Sequence, residues 1–237
     1  MHLQTAVIFR SQALLSGKYC NFAKNYTFFM KLRNFNDIHN LLFDLGGVIM
    51  DIRRENCVEA LAKLGMKGAD EMLGLYCQSG PFLLLEEGKI TPERFRDEMR
   101  KRIDHNIGDD ELDNAFNKFL IGIPLKRLEA LRELRKHYKI YMLSNTNPIM
   151  FDSKIKQEFE KEGFDRNYYF DGICVSFEEK CAKPDIQIFK NAALKFGIKP
   201  EETVFFDDSQ ANLDAASTLG FHTWLVKPGT EFTDAFK

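Results

Sequence analysis

The sequence has no cysteine pair at CxxC spacing, no histidine spaced to complete a zinc finger, and no large excess of one charge. Its 33 basic residues nearly balance its 35 acidic residues, so charge gives no argument for a nucleic-acid or acidic-membrane partner. The five cysteines match neither a disulfide framework nor a structural zinc site, which predicts reduced thiols and a cytoplasmic protein. No apolar run approaches the roughly 20 residues that a membrane-spanning helix needs. A small soluble partner is therefore the default expectation.

The first 36 residues contain no aspartate or glutamate but several lysines and arginines, a bias also found in organelle transit peptides. Met30 lies shortly before the first convincing strand, however, so residues 1–29 read better as an upstream extension or a mis-assigned start. We predict that residues 1–38 form a poorly ordered amino-terminal extension.

From residue 40 onward, short apolar runs alternate with longer amphipathic segments. Near-continuous apolar character predicts strands covered on both faces at Leu41–Phe43, Ile140–Leu143, Gly172–Val175, Val204–Phe206 and His222–Leu225. Helical patterns lie between them at about 125–136, 148–162, 185–196 and 210–219. This alternation predicts an α/β fold in which helices cover both faces of a parallel sheet. Trp224, on the last strand, is expected to be a core residue.

Residues 52–120 interrupt the alternation, because they contain only helix-like patterns. Within them, the segment KITPERFRDEMRKRI begins a helix with Thr91 as the N-cap and Pro92 at the first helical position. The pattern predicts a small helical cap inserted into the sheet domain. The expected organisation is a core of residues 39–51 and 121–237, with the cap at 52–120.

Polar side chains follow several of the predicted strands at their carboxyl ends, where open parallel sheets bind ligands. They are Asp44, Ser144, Asn145, Asp207 and Asp208, and Lys183 follows shortly after another strand. Three carboxylates close together require a cation, and Mg²⁺ with a phosphate ligand suits oxygen donors. Lys183 and Ser144 would then neutralise and hydrogen-bond the phosphoryl oxygens. Each residue alone is also typical of a helix cap or an ordinary turn.

Together, the four segments FDLGGV, LSN, AKPD and VFFDDSQANLDAA resemble, in this order, the four motifs of the haloacid dehalogenase (HAD) superfamily. The resemblance covers roughly residues 40–227. It implies a Rossmann-like core, a helical cap inserted after the first motif, and catalysis through an aspartyl-phosphate with Mg²⁺.

By position, the resemblance makes Asp44 the nucleophile and a metal ligand. Asp208 would bind the metal directly and Asp207 would act through a metal-bound water, while Gly46 would contribute its backbone carbonyl. Three residues would contact the phosphate: Ser144, Asn145 and Lys183, the last also pairing with Asp44. Asn212 either supports the metal-bound waters or is an exposed helical asparagine.

Most phosphatases of this superfamily carry an acid two residues after the nucleophile, where this chain has Gly46. General acid–base catalysis contributes about 10²–10⁴-fold, so its absence constrains the mechanism. Haloacid dehalogenases need no such acid, but they lack the paired acids that Asp207 and Asp208 form here. Phosphonoacetaldehyde hydrolases also lack it and use a cap lysine as a Schiff base. The candidates for that lysine are Lys63, Lys67, Lys89, Lys101 and Lys118.

The cap segment FLLLEEGKITPERF and the motif LSNTN are similar to those of a subgroup containing α-D-glucose-1-phosphate phosphatase and the phosphatase domain of epoxide hydrolase. We therefore expect a Mg²⁺-dependent phosphomonoester hydrolase acting on small phosphorylated metabolites. Sugar 1-phosphates are favoured because an anomeric oxygen leaves more easily than an alcohol. The alternatives are a C–P bond hydrolase and a non-catalytic homologue that binds a phosphorylated ligand.

The cap would choose the substrate, and its charged residues nearest the site motifs are Arg53, Arg54, Glu86 and Glu87. Each is predicted to be an exposed helix charge, because charged helical side chains are mostly solvated. The oligomeric state is not predicted.

A chain that begins at Met30 is expected to fold and to keep its activity, since residues 1–29 match none of the four motifs. Circular dichroism and thermal unfolding of the shortened and full-length chains compare the two. A shortened chain that fails to fold would contradict the interpretation of this segment as a dispensable extension.

Overall fold

The computed structural model describes residues 37–74 and 78–237, and its central feature is a five-stranded parallel sheet. Residues Asp37–Phe232 form one compact unit. The first half contains β1 (Asn40–Phe43), β2 (Asp51–Ile52), α1 (Arg54–Lys63), α2 (Ala69–Met72), α3 (Gly80–Glu86), α4 (Pro92–Arg100), α5 (Asp109–Asn117) and β3 (Leu120–Gly122). The second half contains α6 (Leu125–Leu134), β4 (Lys139–Ser144), α7 (Pro148–Met150), a π-helical turn (Phe151–Ile155), α8 (Lys156–Glu160), α9 (Arg166–Tyr169), β5 (Gly172–Val175), α10 (Ser176–Glu179), α11 (Ile186–Phe196), a 3₁₀ turn (Pro200–Glu202), β6 (Thr203–Asp207), α12 (Gln210–Ser217), β7 (His222–Leu225) and a 3₁₀ turn (Phe232–Phe236).

The strand order is β5-β4-β1-β6-β7, and all four pairings are parallel. The central strand β1 is fully buried, and its Leu41 pairs with residues of both neighbouring strands. At its end, the Asp44 amide donates to the Phe206 carbonyl at 2.8 Å, and the Phe43 and Phe206 rings stack with centroids 4.6 Å apart. This packing brings the carboxyl ends of β1, β4 and β6 together on one edge of the sheet. The predicted α/β fold with a parallel sheet is confirmed.

The insertion after β1 begins and ends in the short antiparallel pair of β2 and β3. Helices α1 to α5 lie between these two strands, as the helical patterns predict. Phe82, Phe95 and Phe116 contact one another with ring centroids 5.1 to 5.4 Å apart, so the insertion has an aromatic core of its own. The predicted N-cap is present, because the Thr91 hydroxyl accepts from the Arg94 amide. The residue boundaries of core and cap stay a prediction.

Two charged side chains hold the chain where it enters and leaves the insertion. Arg127 is buried and donates to the Asp51 carboxylate at 2.7 Å and to the Ile49 carbonyl at 3.2 Å. On the return crossing, the Glu158 carboxylate accepts from the Ile123 amide at 2.9 Å. Both crossings are therefore fixed by charge-assisted hydrogen bonds to residues of the core helices.

Several sequence expectations differ from the structure in detail. Strand β7 is half-buried, and so is Trp224, because β7 is an edge strand covered incompletely. The helix expected over 148–162 is interrupted by the π-helical turn. The β2–β3 pair was missed, since two or three residues are too short to show a strand period.

Some expectations are untested by the fold. The amino-terminal extension and its Met30 lie outside the described residues. Cys57 and Cys174 are buried free thiols and Cys181 is a partly buried one, while the cytoplasmic location stays a prediction. Over residues 37–74 and 78–237, the helices are all too short or too polar to cross a bilayer.

Candidate active site

The Lys183 ammonium lies between two carboxylates at the carboxyl edge of the sheet. Its Nζ is 2.8 Å from Asp44 Oδ1 and 2.7 Å from Asp207 Oδ2, and it donates to the Leu143 carbonyl at 3.2 Å. All three charged side chains are buried. Burial alone would lower the pKa of Lys183, but the two carboxylates raise it above its ordinary value. The lysine is therefore a permanent positive charge at the site.

Asp207 is fully buried and has both oxygens occupied. It accepts from Lys183, from the Ser209 amide at 2.8 Å, and from Asn212 Nδ2 at 3.0 and 3.2 Å. Asn212 itself is buried and lines the cavity, so the second of its two interpretations, an exposed helical asparagine, is wrong, while its support of metal-bound waters stays a prediction. The reason is that α12 starts directly after β6 and turns this side chain back toward the strand end. Asp207 is thus fixed by these bonds and does not line the cavity itself.

Asp44 and Asp208 line the cavity in front of Lys183. Burial, with smaller contributions from Asp207 and Asp208, raises the pKa of Asp44 to about 7 against the opposing effect of Lys183. Burial and Asp207 raise the pKa of Asp208 to about 6. Ligand oxygens of the three aspartates lie within 4.8 Å of one another. Three carboxylates and one ammonium leave a net charge of −2 when all are ionised, which a divalent cation with oxygen ligands would balance.

The turn after β1 brings the backbone against Asp208. Gly47 has a φ of +73°, and a Cβ placed there would lie 2.1 Å from Asp208 Oδ2. Its amide donates to the Met50 carbonyl at 2.9 Å and closes the turn. At Gly46, by contrast, a Cβ would meet only Ile52 at an ordinary 3.5 Å. Position 47 therefore needs glycine, whereas position 46 has space for a side chain.

Ser144 and Asn145 line the cavity at the end of β4, as expected of phosphate-binding candidates. Ser144 is buried, and its hydroxyl is 3.3 Å from the Asn145 carbonyl. The Asn145 side chain has a second role that sequence reasoning missed. Its Nδ2 donates to the Lys183 carbonyl at 2.9 Å, and its Oδ1 accepts from the Lys183 amide at 2.8 Å. This two-way bond fixes the backbone that carries the central lysine.

The cavity, of about 80 Å³, has a polar floor formed by the core and a largely apolar wall from the insertion. Such a volume has room for several water molecules or a compact ligand. The apolar residues of the wall are Ile52, Leu73, Phe82, Phe116, Phe119 and Leu120. Two polar residues of the insertion, Gln78 and Glu86, also line the cavity.

Glu86 was predicted to be an exposed helix charge, and that prediction is wrong. It lies one turn after the buried Phe82 on α3, so both side chains share the face that lines the cavity. That spacing from an apolar residue was the available sequence signal. Burial raises the pKa of Glu86 to about 8, against the opposing effect of Lys183, with Asp44 and Glu87 adding to the rise.

The other charged cap residues do not line the cavity. Arg53 is exposed, Arg54 bonds to the Leu73 and Asp70 carbonyls, and Glu87 pairs with Lys89 at 2.7 Å. The five candidate Schiff-base lysines are all exposed and do not line the cavity. Among the described residues, the lysine that lines the cavity is Lys183.

Comparisons with known proteins show the family of this chain. Residues 38–220 match the family of haloacid dehalogenase-like hydrolases. The chain belongs to this family. It is 36% identical to the D-ribitol-5-phosphate phosphatase of Bacteroides thetaiotaomicron over 82% of this chain and 95% of that protein. It is 25% identical to the glyceraldehyde 3-phosphate phosphatase of Pyrococcus furiosus over 80% of each chain.

Among solved structures, a HAD family enzyme of B. thetaiotaomicron in complex with magnesium and inorganic phosphate is 40% identical, with a TM-score of 0.80. The match covers 84% of this chain and 100% of that one. The predictions of a HAD-type phosphatase and of Mg²⁺ as its cofactor are confirmed.

Replacing Gly47 with alanine is expected to weaken Mg²⁺ binding to this HAD phosphatase by about 10–100-fold, the usual effect of disturbing the residues around a metal ligand. The new Cβ would displace the Asp208 carboxylate and also sit at an unfavourable positive φ. Calorimetric titration with Mg²⁺ measures the affinity. Gly46→Ala is the matched control, and its Mg²⁺ affinity is expected to fall much less. Equal losses of Mg²⁺ affinity in the two variants would contradict the steric explanation.

The increase in unfolding temperature that Mg²⁺ produces is expected to grow as the pH rises through about 6 and about 7. These are the pKa values of Asp208 and Asp44 in the metal-free site. Below these values the metal must displace protons from its ligands, and above them it does not. Thermal unfolding with and without Mg²⁺ across this range measures the effect. Asp208→Asn should remove most of it, and a pH-independent stabilisation would refute the assignment of these carboxylates.

Proposed function

We propose that this protein hydrolyses the phosphate ester of a small sugar or polyol, with Asp44 as the nucleophile. The observation that carries the proposal is the contact of Asp44 with the Lys183 ammonium at the floor of the cavity, beside Asp208. In this position the nucleophile oxygen is fixed and desolvated, and a positive charge lies next to the place where phosphoryl oxygens would bind.

The chain's own residues account for the first step. Asp44 attacks phosphorus, so that a bond forms from phosphorus to its carboxylate oxygen and the ester bond breaks. Lys183 neutralises the charge on the phosphoryl oxygens, and Ser144 with the neighbouring backbone amides donates hydrogen bonds to them. Asn145 keeps Lys183 in position through its two bonds to the lysine backbone. Water then releases inorganic phosphate and restores Asp44.

The donor set fits Mg²⁺ because it consists of oxygen atoms around a net negative charge. Asp44 and Asp208 would bind the ion directly, with the Gly46 carbonyl as a third ligand. Asp207 would act from behind, since Lys183, Asn212 and the Ser209 amide already occupy its oxygens. When bound, the ion would screen the repulsion between the carboxylate and the phosphate.

Two observations bear on the substrate. The relatives named for D-ribitol 5-phosphate and glyceraldehyde 3-phosphate both act on small hydroxylated phosphates, which favours an ester of this size. The glycine at position 46 favours instead a substrate with a good leaving group, such as a sugar 1-phosphate, as in the α-D-glucose-1-phosphate phosphatase subgroup. We rank the polyol phosphate first, because the similarity to the D-ribitol-5-phosphate phosphatase extends over most of both chains.

The purified protein is expected to hydrolyse p-nitrophenyl phosphate with Mg²⁺, and to prefer D-ribitol 5-phosphate over glucose 1-phosphate in a substrate screen. Asp44→Asn should abolish turnover, because the amide is a poor nucleophile, while Asp104→Asn at an exposed cap position should not. Phosphate release measured against each substrate checks both points. Turnover that survives Asp44→Asn would contradict the proposed nucleophile, and a wild type inactive on every ester would favour a binding protein.

A further inference from the structure

We propose that Glu86 of the cap donates the proton to the leaving group, in place of the acid that is absent at Gly46. This inference rests on the phosphatase function proposed above. It makes the cap a catalytic partner as well as a cover, and it removes the need for a substrate with an unusually good leaving group.

The geometry of Glu86 is the first argument. It is the last residue of α3, and it lines the same cavity as Asp44, Lys183 and Gly46, from the side of the insertion. Its carboxyl makes no hydrogen bond or ion pair with the residues that the structure describes. A carboxyl at a cavity wall with no internal partner is available to a ligand. The group that enters between Glu86 and Asp44 would be the ester oxygen of a substrate attacked from the Asp44 side.

The neighbouring residue shows that this placement is specific. Glu87 is next in sequence and has the same side chain, yet it pairs with Lys89 at 2.7 Å and does not line the cavity. Glu86 follows Phe82 by one helical turn, and that face of the helix is buried. Glu86 and Glu87 therefore have the same side chain but different surroundings, and only the position of Glu86 places a carboxyl at the cavity.

The segment that carries Glu86 rests directly on the core. Lys180 Nζ donates to the Gly88 carbonyl at 2.9 Å. Gly88 has a φ of +58°, and a Cβ there would lie 2.1 Å from the Phe177 carbonyl oxygen, so the two backbones are in close contact. Lys180 and Phe177 belong to the chain segment that leads to Lys183. The backbone two residues after Glu86 is thereby held against the chain segment that leads to Lys183.

Burial on the cavity wall keeps Glu86 protonated near neutral pH. Burial raises its pKa to about 8, Lys183 opposes that rise, and Asp44 and Glu87 reinforce it. A general acid is most effective when its pKa lies close to the working pH. Glu86 meets that requirement without a hydrogen bond that would hold its proton elsewhere.

The proton balance of the reaction is complete with Glu86. As the bond from phosphorus to Asp44 forms, the ester P–O bond breaks and its electron pair stays with the leaving oxygen, which takes the proton of Glu86 and departs as an alcohol. The Glu86 carboxylate then accepts a proton from the water that attacks phosphorus. The bond from phosphorus to Asp44 breaks, inorganic phosphate leaves, and Glu86 is again protonated.

The test compares Glu86→Gln with Glu87→Gln in the Mg²⁺-loaded enzyme. On D-ribitol 5-phosphate, or on the best alkyl phosphate of the screen, Glu86→Gln is expected to lose about 10²–10⁴-fold in kcat with little change in KM. On p-nitrophenyl phosphate, whose leaving group needs no proton, the same variant should release a stoichiometric burst of p-nitrophenolate and then turn over slowly. Glu87→Gln should match the wild type on both substrates.

A second variant separates proton transfer from a structural role. A Cβ at position 46 is tolerated, so Gly46→Asp combined with Glu86→Gln would place a carboxyl in the same cavity from the other side. We expect that double variant to recover at least part of the lost kcat on the alkyl phosphate. Thermal unfolding of each variant verifies the fold.

Three results would overturn the assignment while leaving the phosphatase function intact. They are wild-type kcat in Glu86→Gln on the alkyl phosphate, a loss confined to KM, and a burst on p-nitrophenyl phosphate slowed as much as alkyl turnover. A wild type that hydrolyses no ester would instead contradict the proposed function itself, so the two failures are distinguishable.

Discussion

The ion pairs of the buried Lys183 ammonium with Asp44 and Asp207 are the interaction on which the rest of the site depends. Without that charge, three carboxylates at one edge of the sheet would repel one another in a region of low polarity. With it, Asp207 is fixed behind the lysine while Asp44 and Asp208 face the cavity. The lysine can serve both because the sheet order sets β1 next to β6 and β4 next to β1.

Much of the surrounding structure serves to hold this lysine and its partners. Asn145 binds the lysine backbone from both sides, and Asn212 fills the remaining positions of Asp207. Gly47 allows the turn after β1 to pass against Asp208. These contacts come from short polar side chains and from backbone groups. They allow an unfavourable concentration of negative charge to persist until a cation binds.

The insertion contributes a different kind of environment. Its aromatic cluster of Phe82, Phe95 and Phe116 gives it a core, and its apolar wall occupies space beside the polar floor that water would otherwise fill. Excluding water strengthens the electrostatic interactions inside the cavity. The same exclusion makes Glu86 unusual, because a carboxyl on an apolar wall is forced toward its neutral form. The core thus supplies charged groups to the cavity, and the insertion supplies a carboxyl that is mainly protonated.

The sequence by itself determined the sheet, its helical insertion and the residues at the strand ends, because apolar periodicity and motif order are local properties. It predicted Asp44, Ser144, Lys183 and Asp208 at the cavity for that reason. Only the tertiary structure decided what those residues contact. Whether Asn212 is exposed or bound to Asp207, and whether Glu86 faces solvent or the nucleophile, depends on which helix face packs against which strand end. That packing joins residues distant in the chain, and such contacts leave no periodic signal in a single sequence.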